Sequence, residues 1–262
     1  MPGLLLLILL PLLRIYGHKL PRTFGEWMPF VVMGLVNNVV PFYFQFVALT
    51  MITVGLISIV NAMTPLFTVI ILASFGEEKL TLYRIIGVAL GVLGVAVLRG
   101  IEGSFDGALT LGIGLGLIAP LSYGFAALWG RRRLGGVAPL KSATCQLICS
   151  SIIMLFVVGL FEQPWTLEMP SLHVWISVIG LAIFGTALAY IVFFEILERA
   201  GPSNLMLVTL LIPVSALFLG NMFLDEPIRT KEIVGALIIG MGLLFIDGRL
   251  PKAVLRRLST SR

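Results

Sequence analysis

Seven polar side chains stand in stretches that are otherwise almost wholly apolar: Asn38, Gln45, Asn61, Tyr123, Thr186, Tyr190 and Thr209. Each can donate and accept hydrogen bonds without carrying charge, so the chemistry they offer is either recognition of a solute or hydrogen bonding to a neighbouring helix. Their spacing groups them. Asn38, Pro41 and Gln45 share one helical face with Asn37 beside it, and Ser58, Asn61, Pro65 and Thr68 form a second stripe. Thr186 and Tyr190 lie four apart in a third stretch. Pro65 and Pro213 each remove a backbone donor, which predicts a kink or a freed carbonyl.

Bond-making groups are sparse. His18 and His173 are the two histidines, far apart in sequence and beside loops. No nucleophile with its base and no metal cluster is written, which argues against an enzyme. Cys145 and Cys149 sit four apart in one helix, a poor geometry for a disulfide, and read as small packing residues. No strand precedes Gly112-x-Gly114-x-Gly116, so it is no dinucleotide fingerprint, and no cofactor is expected. Glu195, towards the cytoplasmic end of its span, could couple a proton, but no acid lies deep in a span and a simple proton relay is not written. Glu78 and Glu226 mark two turns, each expected to complement the positive N-terminal end of the helix that follows.

The elements that must carry these residues are membrane spans. The chain is 58% hydrophobic and 12% charged, with a mean hydropathy of +1.06. Apolar runs of about 20 residues, enough to cross ~30 Å of hydrocarbon as a helix, recur throughout. The pattern predicts an all-α polytopic membrane protein with spans near 28–49, 53–75, 82–99, 108–130, 138–161, 173–194, 202–224 and 231–247. Residues 2–13 form a partial N-terminal span. The net charge of +5 does not point to nucleic acid, because its distribution is that of a membrane protein. Alternating the loops places fifteen of the eighteen Lys and Arg on one side, which predicts a cytoplasmic C-terminus with a basic tail over 250–262.

A shift of 148 positions superposes the halves without a gap from Asn37 to Gly100. Pro65 falls on Pro213, Glu78 on Glu226, Gly87 on Gly235, Gly94 on Gly242, Asn38 on Thr186 and Asn61 on Thr209. With the Glu78 turn inside and the Glu226 turn outside, the two halves are inverted, as in secondary transporters that rock one repeat against the other. The repeats occupy 1–106 and 107–249. About 41 further residues would be needed before Met1 to complete a design of five plus five spans.

The stretches SIVNAMTPLFTVIILASFGEEKLTLYRIIGVALGVLGVAVL and YIVFFEILERAGPSNLMLVTLLIPVSALFLGNMFLDEPI carry a resemblance to the drug/metabolite transporter superfamily, EamA type. Leu224-Asp225-Glu226 departs from the usual Gly-Glu turn of the second half. The resemblance implies a secondary transporter or exporter of small organic metabolites (amino acid, nucleobase or drug-like solute) in the cell inner membrane. It also implies that the absent first span would help line the cavity, so the alternative expectation is a non-transporting scaffold or partner subunit. Partners are then a small-molecule substrate and the lipid bilayer. Small-residue faces at Gly87, Gly91 and Gly94, at Gly112 and Gly116, and at Ala236 and Gly240 suit close helix packing and would permit a homodimer.

Overall fold

The computed structural model describes residues 10, 11, 13, 14, 16–99, 107–162, 166, 169–188, 192 and 212–246. Eight helices run through them: α1 (Phe24–Leu49), α2 (Val54–Ser74), α3 (Leu82–Arg99), α4 (Gly107–Arg133), α5 (Pro139–Val157), α6 (Leu172–Ala182), α7 (Ile212–Leu224) and α8 (Thr230–Ile246). All eight fall on the expected spans. Four stretches, Phe24–Leu49, Val54–Ser74, Gly107–Arg133 and Pro139–Leu160, are long and apolar enough to cross a membrane, which is fewer than the eight full spans expected. The others are shorter, and α6 and α7 border residues outside those described. Large apolar side chains such as Phe46, Val92, Leu155 and Phe218 are exposed along the outer helix faces. Water would drive such surfaces together, whereas lipid is their natural solvent.

The turns explain themselves locally. α2 ends in a Schellman motif: Gly76 takes φ +75°, its N–H donates to Ala73 O at 3.0 Å, and Glu77 N–H donates to Leu72 O at 2.8 Å. The repeat sets Leu224 at the place of Gly76, and a leucine resists that conformation. There the left-handed residue is the next one, Asp225, at φ 52°. The chain thus keeps the turn by moving its kink one residue along.

Two packing units make up the molecule, one from residues within 1–39 and 129–206, the other within 40–128 and 207–262. Each draws on both repeats, and the chain passes between units inside α1 and α4. In the first unit, α1 lies against α5 closely enough that a methyl on Gly34 would stand 2.8 Å from Gln146 O. Phe30, Leu134, Cys145 and Cys149 form its core, and both thiols are free and buried. The Trp129 indole donates to Pro29 O at 3.0 Å.

The second unit packs Ala48, Leu56, Ile59, Val60, Leu66, Leu98, Ile113 and Ile239 into one core. Within it α3 crosses α8 backbone to backbone. A methyl on Gly87 would lie 2.6 Å from Gly242 O, and one on Gly94 would lie 3.1 Å from Gly235 O. As the number on α3 rises by seven, the number on α8 falls by seven, so the two helices run antiparallel. Gly87 repeats Gly235 and Gly94 repeats Gly242, so each position meets the other's counterpart, the signature of a two-fold contact. The small-residue face of α8 is therefore Gly235 and Gly242; around Gly240, expected to be part of it, a methyl would meet nothing within 4 Å among the described residues. The α3 face behind the homodimer expectation is occupied within the chain.

Gly242→Ala should destabilise the detergent-purified protein by about 1–3 kcal/mol, because its methyl meets a fixed backbone oxygen. Gly240→Ala should be neutral or slightly stabilising, since alanine is the better helix former. Thermal melts of the two variants decide it; equal melting temperatures would refute the crossing.

Candidate functional site

Helix α2 is broken near its middle. Its two pieces, Val54–Asn61 and Thr64–Ser74, are separated by Ala62 and Met63. The cause is Pro65, which has no N–H to give to the carbonyl of Asn61 four residues back. The Thr64 hydroxyl takes over that role, donating to Asn61 O at 2.7 Å. Pro65 in the first turn of the second piece then favours a fresh helix start. At this break Gln45 Nε2 of α1 donates to Asn61 Oδ1 at 3.0 Å, a half-buried carboxamide pair. The other members of the expected stripe turn inward on their own helix. Ser58 Oγ donates to Gly55 O at 2.7 Å, and Thr68 Oγ1 to Thr64 O at 2.8 Å.

The first packing unit holds a second group. Asn37 Nδ2 donates to Gln146 Oε1 at 3.2 Å, and Asn38 Nδ2 to Ser150 Oγ at 3.4 Å. Both asparagines lie in a π-helical turn, Leu35–Val39, inside α1. Further π turns are Val158–Glu162 and Ile183–Leu188, of which the latter follows α6 and carries Thr186. The shift of 148 places Leu35–Val39 on Ile183–Leu188, so the two halves distort their helices at this point. Single π turns concentrate at functional sites. This turn also alters the expected single face of Asn38, Pro41 and Gln45: Asn38 is buried against Ser150, while Gln45 reaches Asn61.

Gln146 and Ser150 were not among the expected site residues. Their signal was present as two polar residues four apart in an apolar helix, the spacing that had drawn attention to Thr186 and Tyr190. Tyr123 is half-buried in α4. Pro213 is buried near the described start of α7. Tyr190, Glu195 and Thr209 lie outside the described residues.

The two signature glutamates act differently. Glu78 bridges Arg84 at 2.7 Å, in the first turn of the helix that follows it. Glu226 serves a distant helix: its carboxylate accepts from Val54 N–H at 3.0 Å and Gly55 N–H at 3.4 Å, at the N-terminus of α2. Those donors have no partner within their own helix, and a negative group suits the positive end of the helix dipole. Thr53 completes the cap by accepting from Leu56 N–H at 3.2 Å. Asn221 Nδ2 holds the turn by donating to Glu226 O at 2.9 Å. At α8, the helix Glu226 was expected to complement, the buried Glu232 accepts from Arg229 N–H at 3.4 Å.

Comparison with known proteins bears on the whole arrangement. A family model described as the EamA-like transporter family matches residues 3–100 and 110–247. The uncharacterized transporter YvbV of Bacillus subtilis is 24% identical over 246 residues, 94% of this chain and 79% of that protein. Protein PecM of Dickeya dadantii is 26% identical over 247 residues, 90% and 78% of the two chains. The uncharacterized inner membrane transporter YedA of Escherichia coli K12 is 25% identical over 251 residues, 92% and 77%. A solved crystal structure at 19% identity superposes with a TM-score of 0.61 over 97% of this chain and 85% of its own, which supports the fold.

Glu226→Ala removes the acceptor for two end-of-helix donors and should cost about 1–2 kcal/mol. Arg84→Ala breaks a partly exposed ion pair and should cost less than about 1 kcal/mol. Side-by-side denaturation should rank Glu226→Ala well below Arg84→Ala; the reverse order would show that the cap contributes little.

Proposed function

Because this chain belongs to the EamA-like transporter family, a family of membrane transporters and not of enzymes, we propose that it moves a small organic solute by alternating access. The break in α2 carries the proposal. A discontinuous helix lets polar side chains gather within a span, which is how secondary transporters build their binding sites. Gln45 and Asn61 at that break are the residues we assign to substrate, with Tyr123 as a further contact. By the repeat, Thr209 holds the position of Asn61, and Thr186, with Tyr190 one turn on, holds that of Asn38.

Inversion of the two halves follows the same reading. It is supported by the antiparallel crossing of the repeat-related helices α3 and α8. The distribution of Lys and Arg favours a cytoplasmic C-terminus, and the inner-membrane relative favours a bacterial-type cell membrane. Outward movement of the solute is part of the proposal.

The test is counterflow into liposomes that hold the purified full chain, across amino acids, nucleobases and cationic drugs. At least one solute class should exchange faster than in protein-free vesicles. Asn61→Leu keeps the size but loses both amide functions, and should slow that exchange about tenfold or more while the protein still melts cooperatively. Flux indistinguishable from empty vesicles for every solute would end the transport reading.

A further inference from the structure

Each packing unit contains one partly buried carboxamide pair, Gln45 with Asn61 and Asn37 with Gln146. A carboxamide has one accepting oxygen and one donating amino group. A single hydrogen bond between two of them uses one of each. Gln45 Oε1 and Asn61 Nδ2 are left unspent in the first pair, Asn37 Oδ1 and Gln146 Nε2 in the second. Reversing both amides of a pair together would leave the same inventory, one acceptor and one donor per pair. Among the described residues no buried side-chain nitrogen or oxygen lacks a hydrogen-bond partner, so these atoms are not sealed in packing. An open amide turned towards acyl chains would be costly. A solute or water is the favourable neighbour.

Among the described residues charge is absent from the middle of the helices. Every charged residue in the described helices lies at or near a helix end: Glu26, Arg84, Arg99, Arg131, Arg132, Arg133, Lys141, Lys231 and Glu232. Neither carboxamide pair bonds to any of them. A carboxylate or ammonium brought to the middle of these spans would meet no counter-charge among the described residues, and an unpaired charge there is far costlier than a neutral amide.

We propose that the substrate is a neutral solute with a hydrogen-bond donor beside an acceptor on one edge, as in a lactam, a primary amide or a nucleobase. Each carboxamide pair reads such an edge with its unspent oxygen and amino group. The proposal rests on the transport reading and narrows it, excluding zwitterionic amino acids and organic cations.

Uracil and 1,3-dimethyluracil discriminate, since methylation keeps the carbonyls and removes both N–H donors. Purified full chain is tested in two ways: liposome counterflow of uracil, nicotinamide, glutamate and tetraethylammonium, and thermal shift in detergent with uracil or its dimethyl form. Uracil or nicotinamide should exchange and uracil should raise the melting temperature, with dimethyluracil at least about tenfold weaker. Replacing both members of a pair, Gln45→Met with Asn61→Leu or Asn37→Leu with Gln146→Met, should lose discrimination between uracil and dimethyluracil. Exchange of glutamate or tetraethylammonium, with none of the amides, overturns this inference and leaves the transport reading intact. No exchange of any solute removes the transport reading; the inference then stands only if uracil still shifts the melt and dimethyluracil does not, and falls if neither does.

Discussion

A peptide group that loses its hydrogen-bond partner inside hydrocarbon costs several kcal/mol, and no water is at hand to replace it. Departures from regular helix in the second unit are answered by a side chain that supplies the missing partner. Pro65 withdraws a donor from Asn61 O, and Thr64 Oγ1 provides another. The N-terminal donors of α2 have no partner in their own helix, and Glu226 reaches them from beyond α7. Such repairs fix where irregular backbone can be tolerated. They also fix where polar side chains can gather, and the Gln45–Asn61 pair lies beside one of these repairs.

Much of this is legible in the amino-acid sequence. The eight apolar stretches, the repeat and the prolines follow from periodicity and register, which are local properties of the chain. Asn61 and Gln45 could each be picked out as polar residues in apolar surroundings. That they bond to one another could not, because nothing in either sequence segment specifies its neighbour. Glu226 shows the limit most clearly. Its place at a helix entrance suggested service to α8, whereas the carboxylate is used by α2, far away in sequence. Gln146 and Ser150 were overlooked for a related reason: their helix reads as a plain span until α1 is laid against it.

The glycine crossing ties the repeat to the fold. Two helices can approach to backbone contact only where neither carries a side chain, and four glycines in phase meet that demand. Because the contact is two-fold, each half brings the same stripe and meets its counterpart on the other. The repeated glycines therefore do one job twice, which explains why they stay in register while the residues between them differ. The same economy does not extend to the turns, where Gly76 and Asp225 reach a left-handed backbone at neighbouring positions of the repeat.

The break at Ala62 and Met63 divides α2 into unequal arms of 8 and 11 residues. At the rise of a helix the shorter arm is about 12 Å long. Pivoting it by about 20° would sweep its far tip through roughly 4 Å, more than the diameter of a water molecule. That tip is the end gripped by Glu226, while the fulcrum carries Asn61. The carboxylate that holds one end of this arm and the carboxamide at its other end are thus joined by a single rigid piece of helix.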